Sequence, residues 1–369
     1  MDRIETIGGG AGAEGEGRAP LELRPPKSLK MSDLRDAGLL DVSNAQGLLQ
    51  LCFHIGFLSA CMWAVGWCYA RGRWGSLLLA ELPFGVGVSF LFNAFHEMVH
   101  GTVFSSPALN LACAHVLGFL TFRGATYYWC FHWAHHRYTN DPTKDPELSE
   151  GSTDLGDPTM TLVGYIRFLS GWPFGFERIS NLARRAQAGL GGCPDPWVVD
   201  KPEAVRRKVC IEGAVYCLGY TLLALIAVAR PMSIGVRLVL YWLLPHCIGA
   251  PHLRMYQFAE HRACLKGPYT DTSAWACSRT TATWWLYRRL AWQMPYHAEH
   301  HAYPNVPFHK LPEAHELVRA AFASEGRDPA SSGCSPEGKR GYIGLHMDVL
   351  RRLLREGAGA SAEKGDKAQ

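Results

Sequence analysis

Four long apolar runs constrain the fold of this chain more than any other feature of its sequence. They lie within 369 residues and cover approximately residues 47–69, 77–95, 209–229 and 236–253. A helix needs about 20 apolar residues to cross the hydrocarbon core of a bilayer, and each run is close to that length. The sequence therefore predicts an all-α membrane protein with four transmembrane helices. A shorter apolar segment, residues 109–122, is interpreted as re-entrant or interfacial.

The distribution of basic residues predicts how these helices are oriented. Four crossings arranged as two hairpins would place both termini, residues 137–208 and everything after residue 254 on one side of the membrane. Cytoplasmic segments carry an excess of Lys and Arg. The shared side carries far more of them than the two short hairpin loops do, for example at Arg184, Arg185, Arg206, Arg207 and Lys208. The polar segments are therefore expected to form a helical cap on the cytosolic side.

The two ends of the chain differ in composition from its middle. Residues 1–31 are Gly-rich and polar, contain no apolar core of a secretory signal, and are predicted to be disordered. A disordered tail is predicted for residues 357–369, which leaves residues 32–356 as one domain. The net charge of +4 gives no indication of a nucleic-acid partner. No C-x-x-C occurs, and six of the 12 cysteines lie in apolar stretches, so free thiols are expected.

Eight histidines are grouped in three short boxes, all on the predicted cytosolic side. The boxes read HEMVH, HWAHH and HAEHH, and their histidines are His96 and His100, then His132, His135 and His136, then His297, His300 and His301. At these spacings the side chains of a helix share one face. Imidazole nitrogen is a good ligand for iron, zinc or copper, and eight exceed the four that one zinc ion takes. The boxes therefore predict a site for two metal ions. His261, just after the fourth run, fits either a ninth ligand or a structural residue.

The boxes and their order resemble those of the integral-membrane fatty acid desaturases and their hydroxylase relatives. The strings HHRYTNDPTKDPEL and MPYHAEHHAYPNVPFHKLP are also similar, and the resemblance covers roughly residues 84–315. In animal acyl-CoA desaturases a further metal-binding His follows an Asn by four residues. Gln257 and His261 resemble that element, with Gln in place of Asn. The resemblance implies that nine histidines are ligands: His96, His100, His132, His135, His136, His261, His297, His300 and His301.

The resemblance also implies the reaction and its partners. It implies two iron ions that use O2 and two external electrons to insert a double bond into a fatty acyl chain, carried as acyl-CoA or acyl lipid. The sequence contains no H-P-G-G haem segment, flavin fingerprint or iron–sulfur cysteine set. Electrons are therefore expected from a separate cytochrome b5 or ferredoxin with its reductase. The expected location is an integral, multi-pass membrane position with the site on the cytosolic face, in the endoplasmic reticulum if the source is eukaryotic.

Two other functions fit the same boxes. A hydroxylase or ketolase of the same superfamily, acting on a carotenoid, sphingoid base or sterol, would carry them too. A non-catalytic metal-binding protein or transporter would be expected to place its ligands in mid-membrane, whereas these boxes lie at one membrane edge.

Carboxylates often orient ligand imidazoles. The candidates for that role, which are otherwise solvated acids or local ion-pair partners, are Glu97, Glu299, Asp141 and Asp145.

Overall fold

The computed structural model describes residues 26–149, 161–171, 174–188, 195–261, 264, 274–327 and 341–366. Across these ranges all regular structure is helical, and one isolated β-bridge joins Thr280 to Tyr296. The expectation of disorder at the extreme ends, residues 1–25 and 367–369, lies outside the described residues.

Within the described ranges, four helices are long and apolar enough to cross a membrane, which confirms the predicted all-α membrane architecture. They are called here the first to fourth spans, and they cover Asn44–Ala70, Trp74–His100, Glu203–Ala229 and Pro231–His261. Each span extends beyond the apolar run that predicted it. The second span is made of two helices, Trp74–Ser89 and Leu91–His100, which meet at Phe90. The fourth contains two π-helical segments, Pro231–Gly235 and Val239–Leu243.

The second span is the centre around which the other helices pack. Half of its most apolar window is buried, against 17% for the first span and 17% for the fourth. It meets the fourth span at two glycines, where a Cβ added to Gly249 would lie 2.2 Å from the carbonyl oxygen of Gly85. Small residues allow such close helix approaches in membranes. The spans that end in His100 and His261 are therefore held side by side.

The short apolar segment between the second and third spans forms a bent pair of helices. Its members are Pro107–Leu120 and Ala125–Tyr138, and their axes differ by 99°. Ser106 caps the first helix through the backbone amide of Leu109, and Phe122 occupies a left-handed turn between the two. Because a re-entrant pair and a broken span share this shape, the interpretation of residues 109–122 stays a prediction. The bend directs the second helix, with its histidine box, toward the end of the second span.

Among the described residues, the remaining helices are shorter than the spans, with lengths from three to 26 residues. They are Met31–Asp36, Pro146–Ser149, Leu162–Leu169, Phe174–Ala188, Pro196–Val199, Ala274–Cys277, Trp285–Leu290, His297–Ala302, the 3-10 turn Phe308–Lys310, Leu311–Ser324 and Gly341–Asp366. The last helix is described as far as Asp366, and the predicted disorder of the tail from residue 357 stays a prediction.

The cysteines in the apolar stretches are free thiols, as expected. Cys264, which follows the fourth span, is instead disulfide-bonded. The prediction of free thiols rested on the apolar runs, and Cys264 lies outside them in a polar segment.

Candidate metal centre

The fold brings the three histidine boxes into one buried region. The first box forms the last turn of the second span, the second lies on the helix Ala125–Tyr138, and the third forms the short helix His297–Ala302. Helical spacing turns the histidines of each box toward a common interior, as the sequence predicted. The box histidines and His261 form two clusters there.

The first cluster contains five histidines drawn from all three boxes. One ring nitrogen from each lies within 4.8 Å of those of the others, and the members are His96, His100, His132, His136 and His300. The Nε2 atom of His132 is 2.9 Å from that of His100 and 3.0 Å from that of His136. The five nitrogens therefore surround a single small volume.

The second cluster includes the ninth candidate. It consists of His135, His261 and His301, with ligand atoms again within 4.8 Å of one another. The Nε2 atom of His261 lies 3.2 Å from that of His135 and 2.9 Å from that of His297. His297 thus adjoins this cluster as a fourth ring. All nine histidines singled out from the sequence lie in one of the two groups or directly beside it.

The geometry and the chemistry of both clusters fit metal ions. Two imidazole nitrogens that are each about 2.0–2.1 Å from one metal lie roughly 3 Å apart, which is the spacing seen here. Buried ring nitrogens of both clusters have no hydrogen-bond partner among the described residues, including Nε2 of His96, His300 and His301. A buried nitrogen without a partner is costly, and a bound metal removes that cost.

Carboxylates hold the far nitrogens of two cluster histidines. The Nδ1 atom of His135 is 2.9 Å from Asp145 Oδ1, and that of His96 is 3.2 Å from Glu97 Oε1. Both acids had been predicted for this role. A third acid, Glu260, lies 3.5 Å from Nδ1 of His297 without a hydrogen bond to it, and sequence reasoning missed it. Its signal was its position next to His261, which mirrors that of Glu97 next to His96.

Three neutral groups orient further rings, and none was predicted. Nδ1 of His261 donates to the backbone oxygen of Cys277 at 2.9 Å. Thr139 Oγ1 lies 3.2 Å from Nδ1 of His301, and the hydroxyl of Tyr128 lies 3.3 Å from Nδ1 of His132. These contacts fix which nitrogen faces the cluster.

The other two predicted carboxylates, Asp141 and Glu299, do not contact the box histidines among the described residues. Asp141 accepts hydrogen bonds from the amides of Thr143 and Lys144 and contacts no ring among the described residues, so it shapes the loop. Glu299 is buried between Thr280 and His315 and supports the helix of the third box from behind. The prediction that Asp141 orients a ligand imidazole is therefore wrong. Glu299 does contact a histidine, His315, but that residue lies outside the boxes.

The protonation of the rings suits metal binding in most positions. Burial, reinforced by neighbouring imidazoles, holds the pKa of His297, His300 and His301 well below the usual value of 6.5, so these rings are neutral ligands at pH 7. Burial also disfavours a charge on His135. The negative charges of Asp145 and Glu147 outweigh that effect and raise the pKa of His135 to about 9.

A narrow pocket adjoins the second cluster. Its lining includes His135, His261 and His297, together with Phe92, Tyr128, Gln257 and Met294. Gln257, the residue in the place of the family's Asn, thus faces the same space as the histidines. A substrate group in this pocket would lie directly against the cluster.

These features define a class of protein: a membrane protein, helical throughout its described regular structure, with two adjacent histidine clusters suited to binding metal ions. The chain belongs to the fatty acid desaturase family, whose model matches residues 72–328. It is also similar to the dihydrorhizobitoxine desaturase of Bradyrhizobium elkanii, with 24% identity over 346 residues that cover 88% of this chain and 91% of that protein. The resemblance drawn from the boxes is thereby confirmed, and the protein is an oxidoreductase of the desaturase type.

Proposed function

We propose that this protein is an O2-dependent desaturase that inserts a double bond into a fatty acyl chain, with one iron ion in each histidine cluster. The observation that carries the proposal is the convergence of nine imidazoles, seven buried and two half-buried, in two adjacent groups, each with ring nitrogens spaced as ligands of one metal. The name of the relative from Bradyrhizobium elkanii supports desaturation as the outcome for a similar chain.

Iron bound in the clusters would supply the activation of O2 that removal of hydrogen from an unactivated methylene requires, chemistry that side chains do not provide. The histidines would hold the ions through neutral rings, so His135 would give up the proton that its raised pKa retains. Asp145 and Glu97 orient rings from outside. Phe92 and Met294 give the pocket an apolar wall that excludes water beside the second cluster.

The remaining parts of the proposal concern partners and location. The substrate is an acyl-CoA or acyl lipid, and the two electrons come from cytochrome b5 or a ferredoxin with its reductase. The site faces the cytosol at the membrane surface. A soluble electron donor could then reach it from the same side as the polar segments.

Expression in a host that lacks the corresponding desaturase, followed by mass spectrometry of its lipids, tests the proposal. We expect a new alkene in the wild type, about two irons per purified chain, and no product for His300→Ala, which removes a ring of the first cluster. His309→Gln is the matched control, because His309 lies outside both clusters. Cells that express this variant should still form the product. A hydroxylated product would indicate the hydroxylase alternative. A purified protein that contains zinc or no metal and consumes no O2 would contradict the proposal that the chain is an enzyme.

A further inference from the structure

Glu147 belongs to the short helix Pro146–Ser149 after the second box, and its side chain reaches the inner side of the second cluster. Its Oε1 atom lies 4.0 Å from Nε2 of His135, the nitrogen that faces His261. The other acid at this ring, Asp145, contacts Nδ1 on the opposite side at 2.9 Å. His135 therefore lies between two carboxylates, one behind the ring and one in front of it.

The backbone holds this arrangement in place. The amide of Glu147 donates to Asp145 Oδ1 at 2.9 Å, and Nδ1 of His135 lies 2.9 Å from the same oxygen. One carboxylate oxygen thus ties the ring to the residue whose side chain passes in front of it. The Glu147 carboxylate itself makes no hydrogen bond within the described residues, and one third of its side chain is exposed. Its oxygens are therefore available to bind an ion.

Two acids line the pocket, and they approach the histidines from different directions. Glu147 and Glu260 share this lining with His135, His261 and His297. Glu260 lies 3.5 Å from Nδ1 of His297, whereas the Nε2 atom of that ring faces His261. Among the described contacts between carboxylates and the nine histidines, that of Glu147 is the one that reaches an Nε2 atom. Glu147 thus approaches the space that the rings surround.

The distance from Glu147 to His135 suits two ligands of one ion. Metal–nitrogen distances of about 2.0–2.1 Å and metal–oxygen distances of about 2.0–2.2 Å place two ligand atoms roughly 3–4 Å apart. The observed 4.0 Å between Nε2 and Oε1 falls at the upper end of that range, which corresponds to nearly opposite positions on the ion. Imidazole together with carboxylate is a ligand combination of non-haem iron oxygenases. A carboxylate also offsets ionic charge that neutral rings leave uncompensated in a buried site.

We propose that Glu147 is a carboxylate ligand of the metal ion in the second cluster, where it joins the three histidines. The inference rests on the proposed function, since it concerns the ion in that cluster. It adds a charged ligand to a set for which the sequence implied imidazoles alone. Asp145 then acts twice through one oxygen, because it orients the His135 ring and holds the segment that carries Glu147.

Co²⁺ binding to the purified full-length apoprotein tests the proposal without turnover. We expect Glu147→Gln to weaken one of two bound Co²⁺ ions by at least about tenfold, the lower end of the loss for an outer carboxylate. The visible spectrum of that ion should also change, because it reports the ligands of Co²⁺. Glu147→Ala should show the same two effects. Added acetate should restore the affinity and the spectrum of the Ala variant, since it supplies a carboxylate at the vacated position.

Glu260→Gln separates ligation from a general effect of charge, because it removes a negative charge from the same pocket without an inward contact. It should keep the wild-type Co²⁺ spectrum. Glu316→Gln, at an exposed acid of the helix Leu311–Ser324, should change neither affinity nor spectrum. A Glu147→Ala protein with the wild-type spectrum in the absence of acetate would overturn the proposal. A wild type that binds no Co²⁺ would instead contradict the metal centre itself, so the two failures are distinguishable.

Discussion

The Nε2 atoms of His135 and His261 lie 3.2 Å apart, although 126 positions separate the two residues in the chain. Each ring is held from its far side, His135 by Asp145 and His261 by the backbone oxygen of Cys277, both at 2.9 Å. The two nitrogens face each other because of these outer contacts. The second cluster therefore depends on residues that never touch a metal.

Replacement of Asp145 by Asn tests this dependence. The change keeps the size of the side chain but removes the charge that orients His135. Loss of such an outer partner typically lowers metal affinity by about 10- to 100-fold, and we expect a loss of that order here. Competition with a chelator on the purified protein measures the affinity. The matched control is Asp141→Asn in the same loop, which should leave the affinity unchanged because the Asp141 carboxylate bonds, among the described residues, only to Thr143 and Lys144 of the loop. Equal affinities for the two variants would exclude a role for Asp145.

The raised pKa of His135 predicts that metal binding releases a proton. Below its pKa of about 9 this ring carries a proton that a metal must displace, whereas His297, His300 and His301 are already neutral at pH 7. The affinity of the apoprotein for Co²⁺ at the second cluster should therefore increase about tenfold per pH unit between pH 6.5 and 8. Titrations followed by the visible spectrum of Co²⁺ give the slope. In Asp145→Asn the slope should flatten, since the charge that raises the pKa is gone; a steep slope in that variant would contradict the assignment.

Much of the fold, and the common faces of the box histidines, followed from the sequence for a physical reason. Apolar runs of membrane length and the i, i+3, i+4 spacing are local patterns, so they predict the spans and the box faces without knowledge of the rest of the chain. His261 lies outside the boxes, and only the resemblance of Gln257 and His261 to the desaturase element implied that it is a ligand. The sequence did not indicate how the nine rings divide into two clusters, because that depends on the crossing of distant helices.

The outer contacts show the same limit. Asp141 and Asp145 stand four positions apart in one loop and look equivalent in the sequence, yet only Asp145 reaches a ring. Turn geometry decides this, since the backbone at Asn140 takes a left-handed conformation with φ of 60° and its amide bonds Asp145 at 2.7 Å. The carbonyl of Cys277 was also not predictable, because every residue has one.

Glu212 is predicted to hold the helix of the second box in place. It belongs to the third span, but its carboxylate accepts from the backbone amide of Thr126 at 3.1 Å, at the start of the helix Ala125–Tyr138. Loss of such a cap costs about 1 kcal/mol, and here it also leaves a buried amide without a partner. Glu212→Ala should therefore lower the thermal unfolding temperature and reduce metal occupancy. Glu203→Ala removes an exposed acid from the first turn of the same span and should change neither quantity. If both variants behave alike, the cap has no structural role.

The contact between Gly85 and Gly249 sets the distance between the spans that deliver the first box and His261. A methyl group on Gly249 would lie 2.2 Å from the oxygen of Gly85, closer than any real contact, so Gly249→Ala must push the second and fourth spans apart. Overpacking of this kind costs about 1–3 kcal/mol, and the displacement should also lower metal occupancy because both spans end in cluster histidines. Thermal unfolding in detergent and metal analysis of the folded fraction measure the two effects.

Gly56→Ala in the first span is the control, since an added methyl group there meets nothing within 4 Å. Alanine is the better helix former, so this control should be as stable as the wild type or slightly more stable. A Gly249→Ala protein with unchanged stability and full metal occupancy would show that the two spans are free to separate and that their contact does not position the clusters.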